Sequence, residues 1–420
     1  MTGPDADTHR AIDAVWRIES PKVIAALTRM VRDVGVAEDL AHDALVAALE
    51  QWPKEGIPRN PGAWLMAAAK HRAIDFFRRN RMLDGKHAEI GRDLEKAQNQ
   101  TPDFDSALDD EVGDDLLRLI FIACHPVLSL EARAALTLRL LGGLTTDEIA
   151  RAFLVPEPTI AQRIVRAKKT LAKDRVPFEV PRGDELAARL SSVLAVIYLI
   201  FNEGYTATAG DTWTRPSLCE DALRLGRILA ELAPAEPEVH GLVALMEIQA
   251  SRLRARVDAS GQPVLLMDQN RALWDRLLIQ RGLAAIARAE RLGLPRGPYL
   301  VQASIAACHA RAGEPAATDW HRIVSLYDEL AQASPSPIVD LNRAVAVGMA
   351  SGAQAGLDAL DRLRDEPTLR SYHLLPSVRG DLLDKLGRRD EARAEFERAA
   401  ALTRNARERE LLLARARQSS

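Results

Sequence analysis

GLTTDEIARAFLVPEPTIAQRIVRAKKTLAK, residues Gly143–Lys173, is the stretch that decides the fold of this chain. Thr145 and Glu148 have the spacing of a capping box, which predicts the start of a first helix. Pro156 ends that helix, because the residue before a proline is driven out of the α region, and a second helix follows. The apolar residues of the second helix recur at helical spacing and are expected to pack inward: Ile160, Ile164, Ala167 and Leu171. The pattern predicts a helix-turn-helix.

The opposite face of the second helix carries polar and basic side chains suited to nucleic acid. They are Thr159, Gln162, Arg163, Arg166 and Lys169. Lys168 and Lys173 are expected to extend this face. Gln and Arg side chains near the start of such a helix hydrogen-bond to base edges in the major groove of DNA. The alternative is an ordinary helical hairpin with a solvated basic face, and the motif alone leaves it open.

The composition is typical of an all-α protein with several domains. The 420 residues are rich in Ala, Leu and Arg, contain 5% aromatic residues and show few alternating β-branched runs. A hydrophobic fraction of 47% excludes a disordered chain. The formal net charge of −3 confines any nucleic-acid surface to a local patch.

The same composition predicts a cytoplasmic protein without a metal or cofactor. The three cysteines (Cys124, Cys219 and Cys308) are scattered, which favours a reduced compartment and excludes a CxxC metal site. The N-terminus lacks the pattern of a signal peptide. The longest apolar run, Val193–Phe201, is too short to span a bilayer and is expected to be a buried helix, so no membrane partner is predicted.

Four stretches follow one another along the chain. Residues 8–82 form a helical unit, and residues 83–111 form an acidic linker or weakly helical connector. Residues 112–175 form a second helical unit that ends in the helix-turn-helix. Residues 184–420 form a long helical region rich in Ala and Leu.

The first unit contains an acidic helix, AEDLAHDALVAALEQW, residues 37–52. Its outer stripe consists of Asp39, Asp43 and Glu50, and its expected inner face consists of Leu45, Leu49 and Trp52.

The next helix, PGAWLMAAAKHRAIDFFRRN, begins at Pro61 and becomes basic toward its end. The basic residues are Lys70, Arg72, Arg78, Arg79 and Arg81, interleaved with Phe76 and Phe77. Cations neutralise phosphates, and aromatic faces stack on exposed bases. The alternative is that the phenylalanines are core and that the arginines interact with the helix dipole. We expect the phenylalanines to be core, and Arg78 and Arg79 to bind nucleic acid.

These segments, in this order, resemble the extracytoplasmic-function sigma factors of the sigma-70 family over residues 8–175. By that resemblance Asp39, His42 and Asp43 dock on the β′ subunit of core RNA polymerase, whose β subunit is a further partner. The helix that ends in RAIDFFRR, together with the loop before it, opens the −10 element and captures a base of the melted strand. The helix-turn-helix reads the −35 element of double-stranded promoter DNA.

The C-terminal stretch shows weak self-similarity. Its copies are Gly297–Leu330, Ser336–Leu363 and Pro376–Leu402, with spacing typical of tetratricopeptide repeats, although unrelated helical hairpins remain the alternative. The segments LIFNEGYTATAGD and GQPVLLMDQNRALWDRLLIQRG resemble a sigma-factor subgroup with a tetratricopeptide-like (TPR-like) C-terminal extension.

An enzymatic C-terminal region is not favoured by the sequence. His240, His309 and His321 are far apart, and none has the HExxH spacing of a metal site. Polar and aromatic candidates for a pocket are equally explained as buried networks that lock helices together, which we favour: Asn202, Glu203, Tyr205, Asp211, Asp268, Asn270, Arg271 and Trp274. The sequence therefore predicts a non-enzymatic sigma factor that directs promoter-specific initiation, with an extension that regulates activity or docks a partner. The alternative is a helix-turn-helix regulator or scaffold that does not drive initiation.

Overall fold

The computed structural model describes residues 4–83, 107–153, 155–207 and 212–418. These ranges are helical, as predicted, and contain eighteen α-helices and no β-strand apart from one isolated bridge between Val257 and Pro263. The chain divides into two compact units, Met1–Val196 and Ile197–Ser420.

The first seven helices lie in the first unit. They are α1 (Pro4–Val31), α2 (Val34–Glu55), α3 (Pro61–Leu83), α4 (Ala107–Ala123), α5 (Leu130–Leu140), α6 (Thr146–Phe153) and α7 (Glu157–Lys173). The acidic linker predicted at 83–111 falls largely outside the described residues, and its last residues belong to α4.

Helix α2 packs against both α1 and α3. Its buried face includes a line of fully buried alanines, Ala37, Ala41 and Ala44, and Trp52 meets the Trp64 ring of α3 edge to face. Leu45 and Leu49, expected on the inner face, are only half-buried. The buried face of α2 is therefore centred on the alanines rather than on these two leucines.

The helix-turn-helix is present as predicted. Glu148 accepts a hydrogen bond from the backbone N–H of Thr145 (2.8 Å), and the Thr145 hydroxyl accepts one from the N–H of Glu148 (3.2 Å), so the capping box starts α6. Helix α7 begins after Pro156. Its four predicted inner residues, Ile160, Ile164, Ala167 and Leu171, are all buried.

Helix α8 (Asp184–Tyr205) contributes to both units. In the first unit, Ser192 donates a hydrogen bond to the Cys124 carbonyl (2.7 Å), and Arg189 donates one to the Phe121 carbonyl (2.9 Å). The boundary predicted at residue 184 would assign Arg189 and Ser192 to the C-terminal region, although both side chains contact the end of α4. Helix α8 is long and apolar enough to cross a membrane, but the buried core helices of soluble proteins share that length and composition. Its apolar run at Val193–Phe201 is mostly buried in the protein, as predicted.

The remaining helices form the second unit. They are α9 (Pro216–Leu232), α10 (Pro237–Ala250), α11 (Arg276–Arg291), α12 (Pro298–Arg311), α13 (Trp320–Ala333), α14 (Pro337–Ser351), α15 (Ala353–Asp361), α16 (Leu374–Lys385), α17 (Arg389–Leu402) and α18 (Ala406–Gln418). Each neighbouring pair from α12 to α17 packs together. The three sequence copies correspond to the helix pairs α12/α13, α14/α15 and α16/α17, which is the arrangement of a TPR-like region.

Glycines permit the close approach of the paired helices. A Cβ atom on Gly356 of α15 would lie 2.7 Å from the Cα atom of Gly348 on α14. A Cβ atom on Gly380 of α16 would lie 2.8 Å from the ring of Phe396 on α17, which is completely buried. The repeat-like spacing of small and large residues therefore reflects direct helix contacts.

We expect Gly380→Ala to destabilise the last helix pair, because the added methyl group has no space beside the buried Phe396 ring. Overpacking of this kind costs about 1–3 kcal/mol. Hydrogen–deuterium exchange over residues 374–402 of the full chain should accelerate accordingly. Gly313→Ala is the matched control, because a Cβ atom there meets no atom within 4 Å. Equal exchange in the two variants would contradict the contact.

Candidate nucleic-acid interface

The outer face of α7 presents the predicted polar and basic residues. Thr159, Gln162, Arg166 and Lys169 are exposed, and Arg163 is half-buried. Four of the five, all but Lys169, line a groove of about 380 Å³ between α7 and the turn that leads into α5. Ser129 caps the N-terminus of α5 at this groove by accepting a hydrogen bond from the N–H of Ala132 (3.3 Å). A helix N-terminus beside arginines favours a phosphate group.

Lys168 lies apart from this face. Its sequence position, next to Lys169, suggested that it extends the basic face. In the structure its ammonium group instead forms an ion pair with Glu38 of α2. One residue along a helix turns the side chain by about 100°, so the two lysines point in different directions.

The basic end of α3 is a second exposed cationic surface. Arg72, Arg78 and Arg79 are exposed and Lys70 is half-buried, while the side chain of Arg81 lies outside the described residues. Arg78 lies 3.9 Å from the Asp75 carboxylate, and both side chains are largely exposed, so this pair contributes little energy.

Phe76 and Phe77 lie on the same part of α3. Both rings are half-buried and meet edge to face, with centroids 5.9 Å apart. They are therefore less buried than the core position expected for them. The loop before α3 is held by Asn60, whose side-chain oxygen accepts a hydrogen bond from the N–H of Ala63 (3.0 Å). Ile57 of this loop is exposed.

The acidic stripe of α2 is exposed along its length. Asp39, Asp43 and Glu50 face solvent, and Val46 between them is 52% exposed. An apolar side chain inside a charged stripe is a common arrangement in protein interfaces, where the apolar centre is surrounded by a polar rim.

His42 differs from its two acidic neighbours. Its Nδ1 lies 2.8 Å from the Glu38 carbonyl oxygen, and its Nε2 lies 3.0 Å from Nη2 of Arg139. A neutral ring with its hydrogen on Nδ1 satisfies both contacts. The Trp16 ring lies against it, with centroids 5.5 Å apart. His42 is thus half-buried between α1 and α5.

Glu38 is the centre of a buried ion cluster that joins α2 to α5 and α7. Its side chain is 4% exposed and contacts the guanidinium of Arg139 on α5 (Nε to Oε1, 2.6 Å) and the ammonium of Lys168 on α7. Two further ion pairs join α1 to α6 and to α4: Arg17 with Glu148, and Arg29 with Asp115 (3.2 Å). The cluster therefore joins α2 directly to α7.

The charges around Glu38 decide its ionisation. Burial alone raises the pKa of its carboxyl group, but the charges of Lys168 and Arg139 and their hydrogen bonds outweigh burial. The pKa of Glu38 therefore lies below its ordinary value, and the carboxylate stays ionised at neutral pH.

The polar candidates in the second unit do not share one pocket. Arg215 pairs with Glu203, Asn270 caps a turn by accepting from the N–H of Ala272 (3.0 Å), and Arg271 donates to the carbonyls of His309 and Ala312. Trp274 is buried beneath Arg271, while Asp268 is exposed.

Tyr205 has a similar structural role. The Tyr205 hydroxyl accepts a hydrogen bond from Arg252 (2.6 Å). Asp211 lies outside the described residues. These contacts are those of networks that lock neighbouring segments together. In the described part of the chain, no group of three or more His, Cys, Asp or Glu side chains is arranged to hold a metal ion.

Three stretches of the chain match known protein families. Residues 16–82 match sigma-70 region 2, and residues 118–171 match sigma-70 region 4. The chain belongs to the sigma-70 family. Region 2 contains α2 and α3, and region 4 contains the helix-turn-helix of α6 and α7. These domains belong to transcription factors rather than enzymes and act in promoter recognition.

The part that follows region 4 matches a family of unknown function, DUF6596, over residues 189–290. Both segments that resemble the subgroup with an extension lie in this range. Regions 2 and 4 followed by this stretch are consistent with an extracytoplasmic-function-like sigma factor that has a C-terminal extension. It is 45% identical to a protein of Rhizobium meliloti (strain 1021), described as uncharacterized, over 94% of this chain and 93% of that one. No solved structure matches the chain significantly.

The Glu38 cluster is the feature of the sigma domains that the sequence patterns missed. One signal was present: Glu38 interrupts the apolar face of α2 formed by Val34, Ala37 and Ala41. A charge in such a position is expected to have a buried partner. The identity of the partners, Arg139 and Lys168, depends on contacts across a hundred residues and more, which periodicity does not encode.

We expect Glu38→Gln to destabilise the contact between region 2 and region 4, because two cations then lack their shared carboxylate. Loss of one partner from a buried ion pair costs about 3–5 kcal/mol. Urea unfolding of the full chain at neutral pH should show this loss. Asp39→Asn, the same change at the adjacent exposed position, should leave unfolding nearly unchanged.

The pH dependence gives a second readout for Glu38. A carboxyl group with a lowered pKa in the folded state stabilises above its unfolded pKa, about 4.3, and loses that contribution as the pH falls through the lowered value. The difference between the natural chain and Glu38→Gln should therefore be constant near neutrality and vanish in acid. A difference independent of pH down to the acid limit would contradict the ion cluster.

Proposed function

We propose that this sigma factor directs promoter-specific initiation by binding core RNA polymerase through α2, the −35 element through α7 and the −10 element through α3. Three separate exposed surfaces support the proposal, and the charge of each suits its partner. The observation that carries it is the combination of an exposed acidic stripe on α2 with two exposed basic surfaces on α3 and α7.

The α2 stripe suits a basic partner in the polymerase. Asp39 and Asp43 are exposed and adjoin the exposed Val46, so the stripe offers charge for steering and an apolar centre for burial. His42 lies at the edge of this stripe, where α2 meets region 4, and we assign it to the same polymerase contact. We assign the coiled coil of the β′ subunit to this stripe, with the β subunit as a further contact of the complex.

The two basic surfaces suit two forms of DNA. The groove beside α7 adjoins Gln162 and Arg166, whose side chains match base edges and phosphates of double-stranded DNA. The end of α3 combines exposed arginines with the Phe76 and Phe77 rings, which suits the unpaired bases of a melted −10 strand.

Promoter binding requires the two DNA-reading helices to separate. The −35 and −10 elements are centred roughly 25 base pairs, or about 85 Å, apart on B-form DNA. In the structure α7 contacts α2 through Lys168 and Glu38, and α2 packs on α3. A 23-residue helix such as α3 is only about 35 Å long. We therefore infer that the Glu38 cluster opens when both elements are bound.

The C-terminal extension is assigned a regulatory or docking role in the cytoplasm. Paired helices of the TPR-like type more often present a surface to a protein partner than a catalytic site. A groove of about 670 Å³ among α14, α16 and α18, with Met349 and Leu265 at its wall, is a candidate surface for such a partner.

Charge reversal on α2 tests polymerase docking. We expect Asp39→Arg with Asp43→Arg to weaken binding to purified core polymerase by about a hundredfold or more, since like charges then face each other. Folding should be spared because both side chains are exposed. Fluorescence anisotropy of the labelled full chain measures the affinity.

The control makes the same change of charge in the extension, with Asp365→Arg and Asp390→Arg, both exposed. Binding of the α2 double variant as tight as that of the natural chain would refute the α2 assignment. An equal loss of core binding in both double variants would also count against it, because it would show a general effect of charge.

Transcription in vitro tests initiation and the role of the extension together. The full chain and a chain ending after Val196 are compared with core polymerase on genomic fragments, and transcript ends are sequenced. The cut follows Val196 because Arg189 and Ser192 pack on region 4.

Start sites that share a −35/−10 pair are expected from the full chain, and transcript yield should differ between the two chains. Equal yield and equal regulation would remove the extension's assigned role. No specific transcript from either chain, together with no core binding, would favour the regulator or scaffold that does not drive initiation.

A further inference from the structure

Val165 is an exposed apolar residue at the edge of the polar face of α7. It is 48% exposed, whereas the other large apolar residues of this helix, Ile160, Ile164 and Leu171, are buried. A single exposed valine on a protein surface is ordinary. The position of Val165 matters because it adjoins the polar face of α7, which is the proposed DNA-binding surface.

Helical geometry places Val165 between two residues of the DNA-binding face. Gln162 precedes it by three residues and Lys169 follows it by four, so all three lie on one side of α7. Lys168, by contrast, is turned toward Glu38. Val165 is therefore not a core residue, and it lies between the DNA-binding face and Lys168, which follows it by three residues.

The chemistry of the major groove gives an apolar residue one specific partner. Thr159, Gln162, Arg166 and Lys169 offer hydrogen bonds and charge to base edges and phosphates. The thymine 5-methyl group is the apolar feature that the major groove presents, and apolar side chains recognise it by contact. Val165 is the apolar side chain that this face of α7 presents to a groove.

We propose that Val165 selects thymine at one position of the −35 element by packing against its 5-methyl group. This assignment rests on the proposed role of α7 as the −35 reader. Gln162 and Lys169, one turn to either side, then contact the adjoining base pairs or phosphates.

Deoxyuridine substitution isolates this contact. Deoxyuridine pairs as thymidine does and differs from it at the base only by lacking the methyl group. After the −35 element is defined by transcript mapping, each of its thymidines is replaced singly by deoxyuridine. Binding of these duplexes is measured with the full chain and core polymerase. At one position the affinity should fall about fourfold, the value of one buried methylene-sized group.

Val165→Ala should remove that discrimination. The variant should bind the thymidine duplex about fourfold more weakly than the natural chain does, and the deoxyuridine duplex equally well. Gln162→Ala is the matched control on the same face. It should weaken binding to both duplexes and preserve their ratio. Because Val165 is exposed, the helix content of the variant should be unchanged by circular dichroism.

Two results overturn the assignment of Val165 while leaving the −35 role of α7 intact. One is a −35 element at which no thymidine can be replaced with loss of affinity. The other is a Val165→Ala variant that still discriminates at every position. A natural chain whose binding is indifferent to replacement of the whole −35 element would instead remove the role of α7 itself.

Discussion

The buried carboxylate of Glu38 is the constraint on which the packing of the two sigma domains depends. A charge that is 97% removed from solvent requires compensating partners, and Arg139 and Lys168 of region 4 supply them. Removing such a group from water offsets much of its attraction to the cations, so the cluster defines how the domains meet more than it adds stability. Region 2 and region 4 thus share an interface whose geometry is set by one residue of α2.

Glu38 and Asp39 are neighbours in sequence, but Glu38 is buried and Asp39 is exposed. One residue along an α-helix rotates the side chain by about 100°, so Glu38 faces region 4 while Asp39 faces solvent. The acidic helix therefore presents its exposed stripe while its other side contacts region 4. The exposed groups of α3 and α7 likewise remain accessible in the packed arrangement. The surfaces proposed to bind polymerase and DNA are thereby distinct from the Glu38 cluster.

Local signals predicted the helices, and long-range contacts decided the rest. The Thr145–Glu148 capping box and the spacing from Ile160 to Leu171 correctly predicted α6 and the inner face of α7, because both depend on residues within a few turns. Leu45 and Leu49 were expected inside and are half-buried, because the alanines occupy the buried face of α2. Lys168 was expected on the basic face and instead pairs with Glu38. The helical period turns Lys168 away from Lys169, but its ion-pair partner lies on another helix and is not encoded in that period.

Burial fixes the protonation of two groups in the extension that sequence patterns could suggest as chemical candidates. Burial, together with the charges of Arg252 and Arg271, lowers the pKa of His309 to about 4, so its ring is neutral at physiological pH. Burial raises the pKa of the Cys219 thiol to about 12, which keeps it protonated. General acid–base catalysis works best with a pKa near the working pH, and nucleophilic cysteine requires a thiolate, so neither group meets the requirement of its role.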